Sequence, residues 1–332
     1  VAVVEQVRAL GRRSTCEIVP SAAMTVDRAG TDMAPMGELV DAGVGIFTDD
    51  GTGLQDPRLM RRVMEYSTGL TRRLGRPVML AQHCEVTALS AGGYMHEGEW
   101  SSRLGIPGQP AEAEELMVMR DIALVRLTGA HLHFQHLSTA SSVAMVRGAK
   151  AAGLPVTAEA TTHHFTLTDA ACASYDPVFK VHPPLRTDAD VRAVREGLAD
   201  GTIDAIATDH APHAAHAKEL PFDQAPPGML GLETAFSLAL GESGLDLPEV
   251  LALLSWKPAA IAGVADRHGA PVVPGVPANL CVVDPDETWT VSGAAMASLS
   301  SNTPYEGRSL RGRVRHTIRA GVPVVVDGEA RR

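Results

Sequence analysis

Val44-Gly45-Ile46-Phe47-Thr48-Asp49-Asp50-Gly51 is a short β-branched and aromatic run that stops at two carboxylates and a glycine. A run of this length bounded by turn residues reads as a buried strand. The stretch Pro57 to Arg73 behind it carries a helical pattern. The same pairing recurs along the chain. Apolar runs rich in Val and Ile fall at Glu17 to Met24, Val44 to Thr48, Pro77 to Gln82, His131 to Gln135, Pro155 to Glu159 and Ile203 to Thr208. Helical patterns follow at Pro110 to Leu127, Ala140 to Ala152, Asp188 to Ala199, Leu232 to Leu240 and Pro248 to Leu254. Strands alternating with helices predict a parallel sheet of βα units. From about Gly269 the pattern changes to Pro-rich turns and alternating strands at Ala278 to Val283, Val314 to Arg319 and Val322 to Val326, which predicts a small β appendage. The expected division is a partial barrel over 1–265 and part of a small β domain over 266–332.

The 332 residues, 45% hydrophobic and 20% charged, are enough to bury a barrel-sized core and exclude a disordered chain. Against 29 Lys and Arg stand 39 Asp and Glu, a formal charge of −10. That sign argues against nucleic acid or an anionic membrane as the main partner. Cys16, Cys84, Cys172 and Cys281 lie far apart, with no CxxC pair, so neither a zinc knuckle nor a disulfide framework is expected. The first segment, with Glu5, Arg8, Arg12 and Arg13, is unlike a secretory signal, and the expected location is the cytoplasm. The chain opens at Val1 inside a helical pattern, with no initiator Met, which predicts an upstream portion.

The chemistry lies where acids and histidines follow the strands. Asp49-Asp50 follows the second run, His83 the third, His136 the fourth and Asp209 the sixth. In a parallel barrel the C-terminal strand ends converge on one rim, so these distant residues become neighbours. Two imidazoles and two carboxylates make a mixed nitrogen and oxygen site suited to Zn²⁺. The inserts Val86 to Gln109 and Ala211 to Gly228 also begin at strand ends, where active-site loops are found. Adjacent acids before Gly51 also suit an Asx-type turn; Asp50 is favoured as the ligand, with Asp49 as its neighbour. His131-x-His133 lies toward the start of a strand whose far end carries His136, so it reads as structural packing.

Thr48-Asp49-Asp50-Gly51, His83-Cys84-Glu85, His136-Leu137-Ser138-Thr139, Thr162-His163-His164, Pro183-Pro184-Leu185-Arg186 and Ala207-Thr208-Asp209-His210-Ala211-Pro212-His213 resemble, in that order, class I dihydroorotases of the amidohydrolase superfamily. The likeness continues through Gly231-Leu232-Glu233-Thr234, Lys257-Pro258-Ala259 and Ser301-Asn302-Thr303-Pro304. It implies a (β/α)8 barrel with two zinc ions bridged by a hydroxide and by Asp50. His83 and His136 would hold one ion and Asp209 the other. Asp209 would also serve as general base and then general acid. The implied reaction is reversible, zinc-dependent hydrolysis of dihydroorotate to N-carbamoyl-L-aspartate, EC 3.5.2.3, in pyrimidine synthesis. His182, His213 and the backbone of Pro227 and Gly228 would contact substrate, and His163-His164 would be supporting or structural. A homodimer and an aspartate transcarbamoylase complex are the assemblies the resemblance brings into view.

The sequence also departs from that pattern. The family's first strand, with its His-x-His and Arg, has no counterpart here, nor does a second strand with a substrate-binding Asn. Six strands are thus expected where closure takes eight. The expected account is a chain lacking its N-terminal segment and impaired alone; the rival is a non-catalytic scaffold for aspartate transcarbamoylase. His182 stands where the family usually has Asn, and imidazole does not reproduce an amide's paired donor and acceptor. Hydantoinases and allantoinases bridge their metals with a carboxylated Lys before the first single His, but no Lys precedes Lys150 here, which leaves Asp50.

Overall fold

The computed structural model describes residues 1–331. Its strands are β1 (Ile46–Thr48), β2 (Met79–Gln82), β3 (Met95–His96), β4 (Gly108–Gln109), β5 (Leu132–Phe134), β6 (Val156–Thr161), β7 (Ala205–Ala207), β8 (Leu280–Thr290), β9 (Ser309–Arg319), β10 (Val322–Val326) and β11 (Glu329–Ala330). The central sheet has the order β1-β2-β5-β6-β7, and every neighbouring pair is parallel. The run expected to be a strand over Glu17 to Met24 contributes only a parallel bridge from Ala22 to Phe47, beyond β1. At that position it has a neighbour on one side alone, and a single rung does not hold a long strand.

Parallel neighbours need a crossover, and amphipathic helices supply it. The helix Pro57–Leu74 lies between β1 and β2, Glu112–Thr128 between β2 and β5, Ala140–Ala151 between β5 and β6, and Asp188–Ala199 between β6 and β7. Pro57–Leu74 shows why such a segment is helical. Asp56 caps it, accepting from the amides of Arg58 at 2.7 Å and Leu59 at 3.3 Å. Pro57 suits the first turn, and Gly75 ends the helix in the left-handed region at φ 66°. Met60, Val63, Met64, Ser67 and Leu70 recur at helical spacing on the buried face.

Period-two alternation sorts each strand between two environments. Phe47, Leu80, Leu132 and Phe134 point outward, are fully buried and pack with Met60, Val63, Met117 and Val146 of the helices. Each such side chain contributes roughly 1.5–3 kcal/mol. Their alternates Ile46, Thr48, Met79, Ala81, His133, Gln135, Glu159 and Ala205 face inward on a lumen of about 300 Å³. His133 donates and accepts within that lumen, 2.8 Å from Thr157 Oγ1 and 3.1 Å from Glu159 Oε2. His133 is thus engaged within the sheet, apart from the converged rim residues.

The appendage is a four-stranded antiparallel sheet of order β11-β10-β9-β8. It leans on the helix Ala235–Glu242: Val283 and Val314 pack against a cluster that includes Phe236 and Ala239. Gly312, at φ 92°, lets the backbone of β9 approach; a Cβ there would lie 2.7 Å from Leu240. The insert after β2 is structured too, with β3 and β4 pairing in parallel around the helix Glu99–Leu104. No helix among the described residues is long and apolar enough to cross a membrane.

Candidate metal centre

The alternation that fills the lumen also aims the residues just past the strand ends. Asp50 continues the inward series Ile46, Thr48; His83 continues Met79, Ala81. Asp49 is out of phase and points outward. It is buried, and accepts from the amides of Met24 at 2.8 Å and Thr25 at 3.1 Å, with Thr25 Oγ1 as a third donor. Of the two adjacent acids, Asp50 faces the rim, and Asp49 anchors the Met24–Thr25 backbone.

His136 is also out of phase, since the inward series here is His133 of β5 and Gln135 just past it. A left-handed turn at φ 33° redirects it. A non-glycine residue there costs on the order of 1–3 kcal/mol and persists only where its surroundings impose it. Here they do. Leu137 N donates to Glu159 O at 2.9 Å. The buried Glu114 carboxylate accepts from the amides of Ser138 and Thr139, both at 3.1 Å. Arg186 Nε donates to Ser138 Oγ at 3.1 Å. Asp209, after β7, is held left-handed as well, at φ 45°.

Three side chains from three strand ends converge. His83 Nδ1 lies 3.0 Å from His136 Nε2 and 3.3 Å from Asp50 Oδ1, and His136 Nε2 lies 3.4 Å from Asp50 Oδ1. Both rings are buried, with centroids 4.7 Å apart and planes at 80°. Burial alone would depress His83, yet the Asp50 and Glu85 carboxylates overcome it and hold the ring at about 9. Burial works against ionising Asp50 as well, but His136 and His83 outweigh it and keep that carboxyl well below the usual range. Asp209, expected as a fourth ligand, is not among the three converged side chains; burial raises it above an ordinary aspartate, and the Asp50 charge adds to that against His136 and His83.

The donor set fits a divalent ion. Two imidazole nitrogens and a carboxylate oxygen, all within 4.8 Å of one another, form a mixed set of the kind zinc takes. Glu85 Oε2 lies 3.3 Å from His83 Nε2 and so favours a proton there, which leaves Nδ1, facing the cluster, as the nitrogen that would give up its proton to a metal ion. Ser90 Oγ donates to the other Glu85 oxygen and fixes the carboxylate. On His136, Nδ1 is buried without a partner, and Nε2 faces the cluster.

The other expected residues are distributed around this centre. His164 is bound at both nitrogens, to Thr161 Oγ1 at 2.7 Å and Pro183 O at 3.0 Å, and is structural. His163 is buried with Nε2 unpartnered; burial and the neighbouring His136 lower it to about 3. His182 accepts at Nε2 from Gln109 Nε2 at 3.1 Å, and burial lowers it. His213 Nε2 lies 2.9 Å from Pro227 O, so His213, Pro227 and Gly228 form one unit. Sequence reading gave no role to Glu85, Glu114 or Asn302. Glu85 carried a signal, standing two residues after a candidate ligand and followed by Ser90.

The family model described as Dihydro-orotase-like matches residues 3–142, and the Amidohydrolase family model matches residues 78–324. A dihydroorotase of Streptomyces coelicolor is 47% identical over 98% of this chain and 76% of its own length. A dihydroorotase of Mycobacterium tuberculosis is 46% identical over 95% of this chain and 73% of its own. Among solved structures, a D-hydantoinase from a Bacillus species superposes with a TM-score of 0.80 at 20% identity, covering 100% of this chain and 75% of that one. The L-hydantoinase of Arthrobacter aurescens gives 0.79 at 23% identity, covering 94% and 70%. These structural likenesses establish the amidohydrolase fold.

Proposed function

The chain belongs to the dihydroorotase family of amidohydrolases, and from that premise we propose that its rim centre carries out reversible hydrolysis of the cyclic amide of dihydroorotate to N-carbamoyl-L-aspartate. One observation carries the reading: Asp50 Oδ1, His83 Nδ1 and His136 Nε2 meet in one small volume at the C-terminal ends of three strands. Asp50, His83 and His136 would hold a divalent ion, with Asp209 beside them as a further ligand. Zinc is the expected metal, with two ions per subunit expected where the family's His-x-His ligands are also present.

The bound metal supplies Lewis acidity, which polarises the scissile carbonyl and lowers the pKa of water at the centre. The protein supplies position and proton transfer. Asp209, raised by burial, accepts the proton of the attacking water and returns it to the departing ring nitrogen. Asp209 continues the inward series of β7, two residues past Ala207, and so stands at the same rim. His213, with Pro227 and Gly228 on the same loop, meets the substrate's carboxylate and ring amide, and His182, in the segment between β6 and the helix Asp188–Ala199, faces it beside Gln109.

A scaffold without activity would gain nothing from this arrangement. Three metal-ligating atoms from three strand ends turned toward one point serve ion binding, for which an inactive scaffold has no use. The test is dihydroorotate hydrolysis, followed by loss of ultraviolet absorbance, in zinc-loaded protein, with Asp50→Ala and Asp209→Asn as controls. The reading requires turnover that Asp209→Asn lowers at least a thousandfold while the ion held by Asp50, His83 and His136 remains, and that Asp50→Ala abolishes together with metal. Equal rates in the wild type and both variants would contradict it.

A further inference from the structure

The loop from Ala211 to Met229 carries three of the proposed substrate contacts, yet it has little regular structure beyond one turn of helix at Ala215–Lys218. Its base is closed by backbone: His210 bridges Met229, and Ala211 N donates to Met229 O at 2.9 Å. A second tie comes from outside the barrel, from Asn302, in the segment between β8 and β9.

The Asn302 side chain is buried and spends both donors and one acceptor position on this loop. Nδ2 donates to Ala211 O at 3.0 Å on the outgoing arm and to Gly228 O at 3.3 Å on the returning arm. Oδ1 accepts from His213 N at 3.1 Å. The Asn302 backbone carbonyl accepts from Leu230 N at 3.1 Å. The amide orientation is fixed by chemistry, because two carbonyls can only accept and one N–H can only donate. No other side chain that is neutral and this short offers two donors and an acceptor in one plane.

The two arms pack as tightly as this tie requires. A Cβ on Gly228, at φ 127°, would lie 2.6 Å from Ala211 Cβ and 2.8 Å from His213 Nε2. The arms are therefore in contact where the His213 ring meets the Pro227 carbonyl. Shifting either arm moves both the ring and the backbone of Pro227-Gly228. The far part of the loop is held separately, by Lys218 Nζ on Pro226 O at 2.7 Å and on Pro177 O at 3.0 Å.

We propose that Asn302 is a positioning residue for substrate binding, which sets the spacing between His213 and Gly228 by bonding both arms of their loop at once. The inference rests on the reading that His213, Pro227 and Gly228 face the substrate. Asn302 touches neither the converged ligands nor, on this account, the reacting atoms, so its removal acts on binding rather than on chemistry.

The test uses the zinc-loaded full chain with Asn302→Asp. This variant keeps an acceptor for His213 N–H but sets carboxylate oxygen against two carbonyls. Steady-state kinetics with dihydroorotate is paired with hydrogen exchange of the peptides spanning 209–231, and zinc content is measured in parallel. KM is expected to rise about tenfold, kcat to stay within about threefold, zinc content to hold, and exchange over 209–231 to quicken. Asn302→Ser, smaller and neutral, is read the same way should the carboxylate prevent folding. Combined with His213→Ala, either change is expected to add little to KM, since both act through the same unit. Unchanged exchange overturns the clamp itself. Faster exchange with unchanged KM overturns the assignment of the loop to substrate, and a loss confined to kcat overturns the positioning role.

Discussion

Replacing Glu85 separates a ligand that is merely nearby from one that is oriented. Its carboxylate stands 3.3 Å from His83 Nε2, on the side of the ring away from Asp50 and His136. Burial opposes its ionisation, yet bonds from His83 and Ser90 hold its carboxyl at about 2, so it is charged wherever the protein is folded and near neutral pH. A hydrogen bond to a charged group contributes roughly 1.5–3 kcal/mol, and the long contact places this one at the lower end. Glu85→Gln keeps an oxygen acceptor and loses only the charge, so the expected loss is about 1 kcal/mol, roughly fivefold in zinc affinity. Glu85→Ala removes the acceptor and leaves a buried N–H unpaired, for a loss of about ten- to hundredfold. Competition for Zn²⁺ against a chromophoric chelator measures both. The expected order is wild type, then Gln, then Ala. Affinities equal within twofold across all three would refute the argument that Glu85 sets the His83 tautomer.

The neighbouring acids give opposite outcomes. Asp49→Asn turns an amide group toward the donors of Met24 and Thr25 and is expected to lower unfolding stability in urea by about 2 kcal/mol with zinc stoichiometry unchanged. Asp50→Asn is expected to weaken zinc at least tenfold without a comparable loss of stability; a reversed pattern would exchange their roles. Gly228→Ala forces a Cβ to within 2.6 Å of Ala211 Cβ at φ 127°, so KM for dihydroorotate should rise at least tenfold with zinc retained, and an unchanged KM would contradict the loop geometry. Arg267 above all holds Glu17 down to about 2, against burial and with help from His268. Because the folded value lies below the unfolded 4.5, the pair stabilises above that pH, and the gain is lost as pH falls from 4.5 toward 2. Glu17 and Arg267 are partly exposed, so screening limits the effect to about 1 kcal/mol or less. Thermal melts of Glu17→Gln should converge on the wild type at the acid end of that window, and a constant gap would contradict the linkage.

What could be read in the sequence was whatever depends on local pattern. The helices Pro57–Leu74 and Asp188–Ala199 begin and end close to where the helical pattern placed them, because Asp56, Gly75 and Thr187 cap them within a few residues of themselves. Asp50, His83 and Asp209 were visible as chemistry just past strand ends, and the period of two carries their direction from the strand to the rim. Features set by distant contacts were not visible. The run Glu17 to Met24 has strand composition, but pairing decides, and it finds only Phe47. The choice between Asp49 and Asp50 depends on strand phase, which the amides of Met24 and Thr25 reveal only once folded. His136 reaches the centre against the phase of its strand, through a turn imposed by Glu114 and Arg186 from 22 and 50 residues away (114 and 186 against 136). The helix Trp256–Ile261 escaped notice because Pro258 interrupts the apolar pattern, although proline suits a first turn. Asn302 stood in a recognised string but gained a role only through contacts some ninety positions back along the chain.

Anomalous diffraction at the zinc edge from crystals grown with the metal tests the central claim most directly. The account predicts a peak at bonding distance, about 2.0–2.2 Å, from Asp50, His83 Nδ1 and His136 Nε2 together. A peak bound elsewhere on the chain, or none at the rim while the two rings stay in contact at 3.0 Å, would contradict it.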